Sequence, residues 1–598
     1  MTSTTNTNNK HLKILMLLIS IGISFILYFN TIKGSFVYDD QFFNREELQS
    51  QSALSKVWFE SYLPEHPQAG VYRPVTIFSF ALDFIIFGNS PVSFRVINII
   101  LNGIVVFLVF LLVLRLFNNK RLAILSSLFF AFLPIHTEVV AFIKSRDEIF
   151  FALFITLSWL IFIKATENKV NYRQLILSSI FYFLGLLSKE MVIIAPVLFI
   201  LVYRIQKKAS LKQTLKISLT FLFTAIAYFG MRYLALGKYA FGSSDDYFVT
   251  NPLAYASLWI KVWTPLKIAF IYISKTFVPI NLSAAYQFNQ VTLVSNPFHS
   301  AQAIFGLLLL GVLLFCVLQR KIRVMPIGIG ALIFLVSYFM ISKFFFQASD
   351  IVAERWMYFP SIGISIIAAY LLDEVYESQK LLGIIIFAII LIVYSTIIIP
   401  RNRVWLSETN LYESMIKSAP DSIQGYLALT TVYFNAGKID DAKREIVIAS
   451  NIYKDDPRVL DSIGAIAIKE RNYDLAESSL IKALQIKPDI NQRLLSLSKE
   501  YYDNKNYKKA LETTEIYTKL SGHKLEPNRV WVYALTLARL GFFQRSLDII
   551  SQYSLTENIQ FLPLIAENYY RLGYREKAFQ YLGNNLTEEQ KTKILESF

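Results

Sequence analysis

The chain has 598 residues, 54% of them hydrophobic, 15% aromatic and only 17% charged, with a mean hydropathy of +0.43. A water-soluble domain carries about a quarter charged residues, so lipid is read as the main solvent; 49 Phe and 34 Tyr exclude a disordered chain, and a single cysteine, Cys316, excludes a disulfide framework or a cysteine metal cluster. A net charge of +15 would suggest nucleic acid in a soluble protein, but residues 401–598 hold 27 Lys+Arg against 25 Asp+Glu, so the excess belongs to short clusters between apolar runs in the first 400 residues.

In chain order, apolar runs able or nearly able to cross about 30 Å of hydrocarbon centre on 12–29, 93–117, 122–140, 148–164, 174–187, 191–205, 216–236, 300–319, 324–342, 358–372 and 381–399. About eleven spans are predicted. The run 258–280 is broken by Pro265 and by Lys261, Lys267 and Lys275, and is read as re-entrant or interfacial, because charge at that density is costly at the bilayer centre. Alternate loops carry Lys120–Arg121, Lys164/Lys169/Arg173, Arg204/Lys207/Lys208, Arg320/Lys321/Arg323 and Lys380, which places them in the cytoplasm. The amino terminus is then inside, the first span is an uncleaved anchor, and an odd span count puts residue 401 onward outside.

Beyond residue 400 the sequence repeats. Ala442, Ala476 and Ala510 recur at a spacing of 34, with Ala449 and Ala483 at a second matching position. A 34-residue period with a small residue at one position is the pattern of tetratricopeptide helical pairs, whose stacking offers a concave surface to extended peptide. About five repeats fit between 421 and 590, with 401–420 as a lead-in cap. The predicted fold is therefore all-α: a polytopic membrane domain over 1–400, with a first outer loop at 30–92, followed by an extracytoplasmic α-solenoid over 401–598.

The unusual polar residues of the membrane half map to the outer face. They are Asp39 and Asp40 with Arg73 in the first loop, His136 and Glu138, Arg146 with Asp147 and Glu148, Lys189–Glu190 in a tight turn, and Glu354–Arg355. Each alone has a plain structural use as cap, ion pair or packing residue. Their convergence describes an outward-open cavity of carboxylates and cations. With no Gly-rich phosphate loop to suggest a nucleotide, an anionic lipid headgroup is the natural guest. If it is a polyprenyl phosphate carrying a sugar, Arg or Lys would stabilise the departing phosphate while a carboxylate takes the proton of the attacking hydroxyl.

The segments Phe36–Asp40, Tyr72–Val75, His136–Glu138, Ser145–Glu148, Leu187–Glu190 and Ala353–Ser361 resemble, in order, the motifs of the transmembrane and tetratricopeptide-repeat-containing O-mannosyltransferases. Asn251–Tyr286 resembles that family's middle domain. The likeness departs at Leu133, where the family usually has His. It implies a GT-C-type membrane glycosyltransferase that moves a sugar, mannose by analogy, from a polyprenyl-phosphate donor to Ser or Thr hydroxyls of proteins on the non-cytoplasmic side. It further implies that the Asp39–Asp40 pair holds the catalytic base, with Asp40 favoured. His136, Arg146, Lys189 and Arg355 become candidates for the donor phosphate, and Arg73, Glu138, Glu190 and Glu354 for support. No cofactor or metal is predicted, although Glu138 with the aspartates could hold a divalent cation. The expected partners are the lipid-linked sugar, an acceptor protein or peptide on the repeats, and the bilayer; nucleic acid is not among them. The rival readings are transfer to a lipid or glycan, a non-catalytic repeat scaffold, and a transporter, the last opposed by the clustering of polar groups at one face.

Overall fold

The structure, a computed structural model, describes residues 2–43, 46–64, 67–241, 251–287, 289–344, 350–490, 492–522, 524–583 and 587–596. Among these, helices carry nearly all the regular structure, and one isolated bridge pairs Tyr286 with Val352. The chain forms two compact units, Met1–Ser422 and Ile423–Phe598.

In the first unit all eleven apolar runs are helical. Among the described residues, six helices are long and apolar enough to cross a membrane, or seven if the pair Lys120–Ala131 and Pro134–Ala141, bent by 53°, is one span. The bend falls where Pro134 withholds an N–H and forces Leu133 out of the helical region, to ψ 118°. Helices approach closely where side chains vanish. A Cβ on Gly306 would lie 1.8 Å from the Leu266 carbonyl oxygen, and one on Gly363 would lie 2.3 Å from that of Gly330, the small-residue packing favoured where lipid gives no hydrophobic drive to association.

The helix Leu258–Phe277 contains Pro265 and the three lysines, and each ammonium is satisfied locally. Lys261 donates to the Ala254 carbonyl, Lys267 to the carbonyl and hydroxyl of Thr292, and Lys275 to the carbonyls of Ile280 and Asn281, all at 2.6–2.9 Å. The segment thus folds back on itself to neutralise charges that a lipid-exposed helix could not carry.

In the second unit ten helices form five consecutive pairs: Ile423–Asn435 with Ile439–Ile452, Pro457–Lys469 with Tyr473–Ile486, Arg493–Asp503 with Tyr507–Ser521, Pro527–Arg539 with Phe543–Gln552, and Leu562–Arg571 with Arg575–Tyr581. Each pair turns through one left-handed residue, Gly437, Arg471, Lys505, Gly541 and Gly573 in succession. Ala442, Ala476, Ala510, Ser546 and Ala578 follow five residues later and are all fully buried. The small side chain lets the second helix lie close to the first. Residues 401–420, read as the cap of the repeats, belong to the first unit, where helix Glu408–Ser418 hydrogen-bonds through Ser418 to Ser283 at 2.9 Å.

Candidate active site

The segment that leads to Asp39 is pinned by Arg95. Its guanidinium, fully buried, donates to the carbonyls of Gly34 (2.5 Å), Ser35 (2.6 Å), Trp405 (3.1 Å) and Ala141 (3.3 Å). The short 3-10 helix Tyr38–Phe42 follows, and it opens with Tyr38 at φ 54°. A left-handed tyrosine costs about 1–3 kcal/mol and persists only when its surroundings impose it. Here they do: the Tyr38 ring lies between Phe142 and Tyr412, at 6.1 and 6.3 Å, and Asp40 closes the turn.

The two aspartates of the motif, of which the resemblance favours Asp40 as the base, are held differently. The Oδ2 of Asp40 accepts the Val37 N–H at 3.1 Å and its Oδ1 the Lys144 N–H at 2.9 Å, and the residue has no exposed surface. Burial pushes its carboxyl up to about 7, against the lowering by these donors and by Arg95. A pKa near neutrality suits a general base, but each oxygen of Asp40 already accepts a backbone N–H and the residue has no exposed surface. Asp39 is the opposite case. Its side chain is 24% exposed, and its Oδ2 lies 3.4 Å from the Lys144 ammonium. Lys144 therefore organises both aspartates, one through its backbone and one through its charge.

Around Asp39 stand four cations and six carboxylates. Arg73 forms a fork with Glu190 (3.1 and 2.7 Å) and reaches Asp147 through its other nitrogen. Lys189 pairs with Glu148 and lies 3.9 Å from Asp147. Arg355 bonds Glu138 at 2.6 Å and Asp350 at 3.1 Å, and its backbone N–H donates to Glu138 at 3.0 Å. Burial alone would raise the Glu190 carboxyl, but the Arg73 guanidinium overrides it and holds that carboxyl well below its ordinary range. Burial likewise disfavours charge on Arg355, and Glu138, Asp350 and Asp39 override it and hold the guanidinium protonated. The carboxylate excess is offset by helix N-termini, since Pro74–Phe87, Arg146–Ala165 and Pro360–Ser378 all begin at this end of the bundle.

Arg73, Lys189 and Arg355 are each engaged by two carboxylates. The ammonium of Lys144, which the sequence did not single out, forms one ion pair among the described residues, with Asp39 at 3.4 Å, and its charge also acts on Asp147. Two further candidates are enclosed by protein groups. Arg146 is fully buried under Phe80 and donates to Asn98 (2.8 Å), Ser79 (3.2 Å) and the Phe94 carbonyl (3.1 Å), with Asp83 at 2.6 Å. His136 is packed between Phe130 and Tyr358 and shares a hydrogen bond of 2.8 Å with Ser361. Glu354 braces the middle segment, accepting from Ser283, Tyr286 and Arg401. Asp350 had no signal in the sequence, whereas Asp147 and Glu148 were visible in the Arg146 motif. Among the described residues, no group of three or more His, Cys, Asp or Glu side chains is placed to hold a metal ion.

A family model described as dolichyl-phosphate-mannose-protein mannosyltransferase matches residues 65–231. Among curated proteins, a protein O-mannosyl-transferase of Caenorhabditis elegans is 24% identical over 445 residues, 72% of this chain and 61% of that protein. The protein O-mannosyl-transferase TMTC4 of Homo sapiens is 24% identical over 489 residues, 70% and 62% of the two chains. The family resemblance read from the motifs is borne out. The matched region of the mannosyltransferase model contains Arg73, His136, Glu138, Arg146, Lys189 and Glu190, while Asp39, Lys144's partner, lies before it. The chain spans a little under two thirds of the length of these O-mannosyl-transferases. Among solved structures, an archaeal oligosaccharyltransferase from Archaeoglobus fulgidus, in complex with an inhibitory peptide and a dolichol-phosphate, aligns at 13% identity and a TM-score of 0.39, covering 72% of this chain and 59% of that one.

Proposed function

We propose that the chain is a membrane protein O-mannosyltransferase that uses a polyprenyl-phosphate sugar and acts on the non-cytoplasmic side. One observation carries the assignment of roles: of the two adjacent aspartates, only Asp39 presents an accessible carboxylate, and it does so beside the least committed cation of the cluster. In this reaction the acceptor hydroxyl of Ser or Thr attacks the anomeric carbon and its proton passes to Asp39. The bond from that carbon to the phosphate oxygen breaks, and the polyprenyl phosphate leaves with its charge met by Lys144 and Arg355. Arg73 and Lys189 hold the carboxylates around this centre and set its field. The scheme requires no metal ion. The paired helices of the second unit serve as tetratricopeptide repeats that capture the acceptor.

The test incubates the purified chain with polyprenyl-phosphate mannose and a Ser/Thr-rich peptide and looks for a hexose mass increment. Asp39→Asn should abolish the increment while membrane insertion is kept, and Asp40→Asn should retain part of it. Full activity of Asp39→Asn would overturn the assignment of the base.

A further inference from the structure

Tyr38 combines a strained backbone with a hydroxyl that the protein does not use. Its φ of 54° lies in the left-handed region, rare for a bulky side chain. Phe142 and Tyr412 flank the ring, but among the described residues the hydroxyl makes no hydrogen bond. That oxygen is not sealed in the interior, and Tyr38 is half-buried, as Asp39 beside it is. The neighbouring tyrosines differ. Tyr272 accepts the Ala353 N–H at 3.2 Å, Tyr286 donates to Glu354, and Tyr358 donates to Asn102 at 2.6 Å. The Tyr62 hydroxyl has no partner but is enclosed. Of these tyrosines, only Tyr38 joins an unbonded hydroxyl to access from outside. Burial foremost, then Asp39 and Asp350, push its phenol well above the ordinary range, against Arg355, so at neutral pH it remains a hydrogen-bond donor.

The charges that act on this hydroxyl belong to both sides of the reaction proposed above. Asp39 receives the acceptor's proton and Arg355 meets the departing phosphate, and in a direct displacement these lie on opposite faces of the anomeric carbon. A group that faces both lies beside the sugar ring between them. Resting on that reading of the reaction, we propose that Tyr38 is a sugar-contacting residue, whose hydroxyl hydrogen-bonds a hydroxyl of the transferred sugar and selects for sugars that carry it. A site built to bond a substrate hydroxyl rejects the analogue that lacks it, because its own polar group is then left unpaired. The left-handed turn fits this role, since strain of that kind persists where the side chain it positions is used.

The test measures the affinity of the purified full chain in detergent for polyprenyl-phosphate mannose, for its monodeoxy-mannose analogues and for sugar-free polyprenyl phosphate. Tyr38→Phe keeps the ring and should have the wild-type thermal midpoint, because the hydroxyl bonds no described residue. It should bind polyprenyl-phosphate mannose about tenfold more weakly and sugar-free polyprenyl phosphate as tightly as wild type does. One monodeoxy analogue should lose about tenfold with wild type and nothing further with Tyr38→Phe, a non-additivity that general loosening of the site does not produce. An unchanged affinity in Tyr38→Phe, an equal loss with sugar-free polyprenyl phosphate, or the same deoxy penalties in both proteins would overturn the role of Tyr38 and leave the transferase reading standing. A wild-type chain that binds neither lipid would overturn that reading and the proposal with it.

Discussion

Asp39 and Asp40 are neighbours in sequence with opposite fates, and their difference can be measured. A positioned general base contributes about 10²–10⁴-fold to rate, so Asp39→Asn should lose at least that order of transfer activity without a change in thermal midpoint. Lys144→Gln should lower kcat by about 10²-fold, the effect of removing one preorganised group that meets developing charge. Asp40→Asn should act on stability: the amide accepts through one atom where the carboxyl accepts through two, and a buried N–H left unpaired costs about 1–3 kcal/mol. The pH sign follows from burial, which raises the folded pKa of Asp40 to about 7, above an unfolded value near 3.9. Its stabilising contribution is thus complete below the unfolded value and is lost as pH rises through about 7. The stability gap between wild type and Asp40→Asn should be widest below about pH 4, shrink as pH rises towards 7 and be smallest by pH 8, as read from thermal midpoints. Sequence had marked both aspartates but could not rank them, because the ranking depends on Lys144, 104 positions away, whose backbone caps one and whose side chain faces the other.

At the scale of elements, the chain announces its helices better than its contacts. Each apolar run became a helix because its composition leaves little alternative in lipid, and the break at Leu133–Pro134 follows from proline sterics. The partners of the charged residues were not legible. Arg146 looked like a phosphate ligand beside two acids, yet it points at Asp83 and Asn98, which come from two earlier helices. His136 likewise reads as functional until Tyr358 and Ser361 close over it. The glycine contacts give a sharper element-level test. Gly363→Ala places a Cβ 2.3 Å from a backbone oxygen of the facing helix, where no flexible side chain can yield. That substitution should force Pro326–Ile341 and Pro360–Ser378 apart and lower the thermal midpoint measurably, whereas Gly311→Ala, with open space around it, should be silent.

For the whole molecule, two compact units imply two stabilities. The second unit has its own buried core, built from residues such as Leu497, Ala510, Val530 and Leu537, so residues 423–598 expressed alone should give a helical circular-dichroism spectrum and a cooperative melt. The first unit is closed differently. Arg95 holds carbonyls from Gly34, Ala141 and Trp405, and Asn402 donates to the Leu27 carbonyl at 2.7 Å and to the Asn30 side chain at 2.6 Å. The bonds from Arg95 to Trp405 and from Asn402 to Leu27 and Asn30 join residues more than three hundred positions apart. During synthesis, Arg95 therefore enters the bilayer as a charge with incomplete partners and waits until residue 405 has emerged. A chain that stopped before residue 405 would keep the Arg95 bonds to Gly34, Ser35 and Ala141 but lack the one to Trp405 and the bond from the Ser35 N–H to the Leu406 carbonyl, so the loop that leads to Asp39 takes its last ties from residues that follow helix Lys380–Arg401.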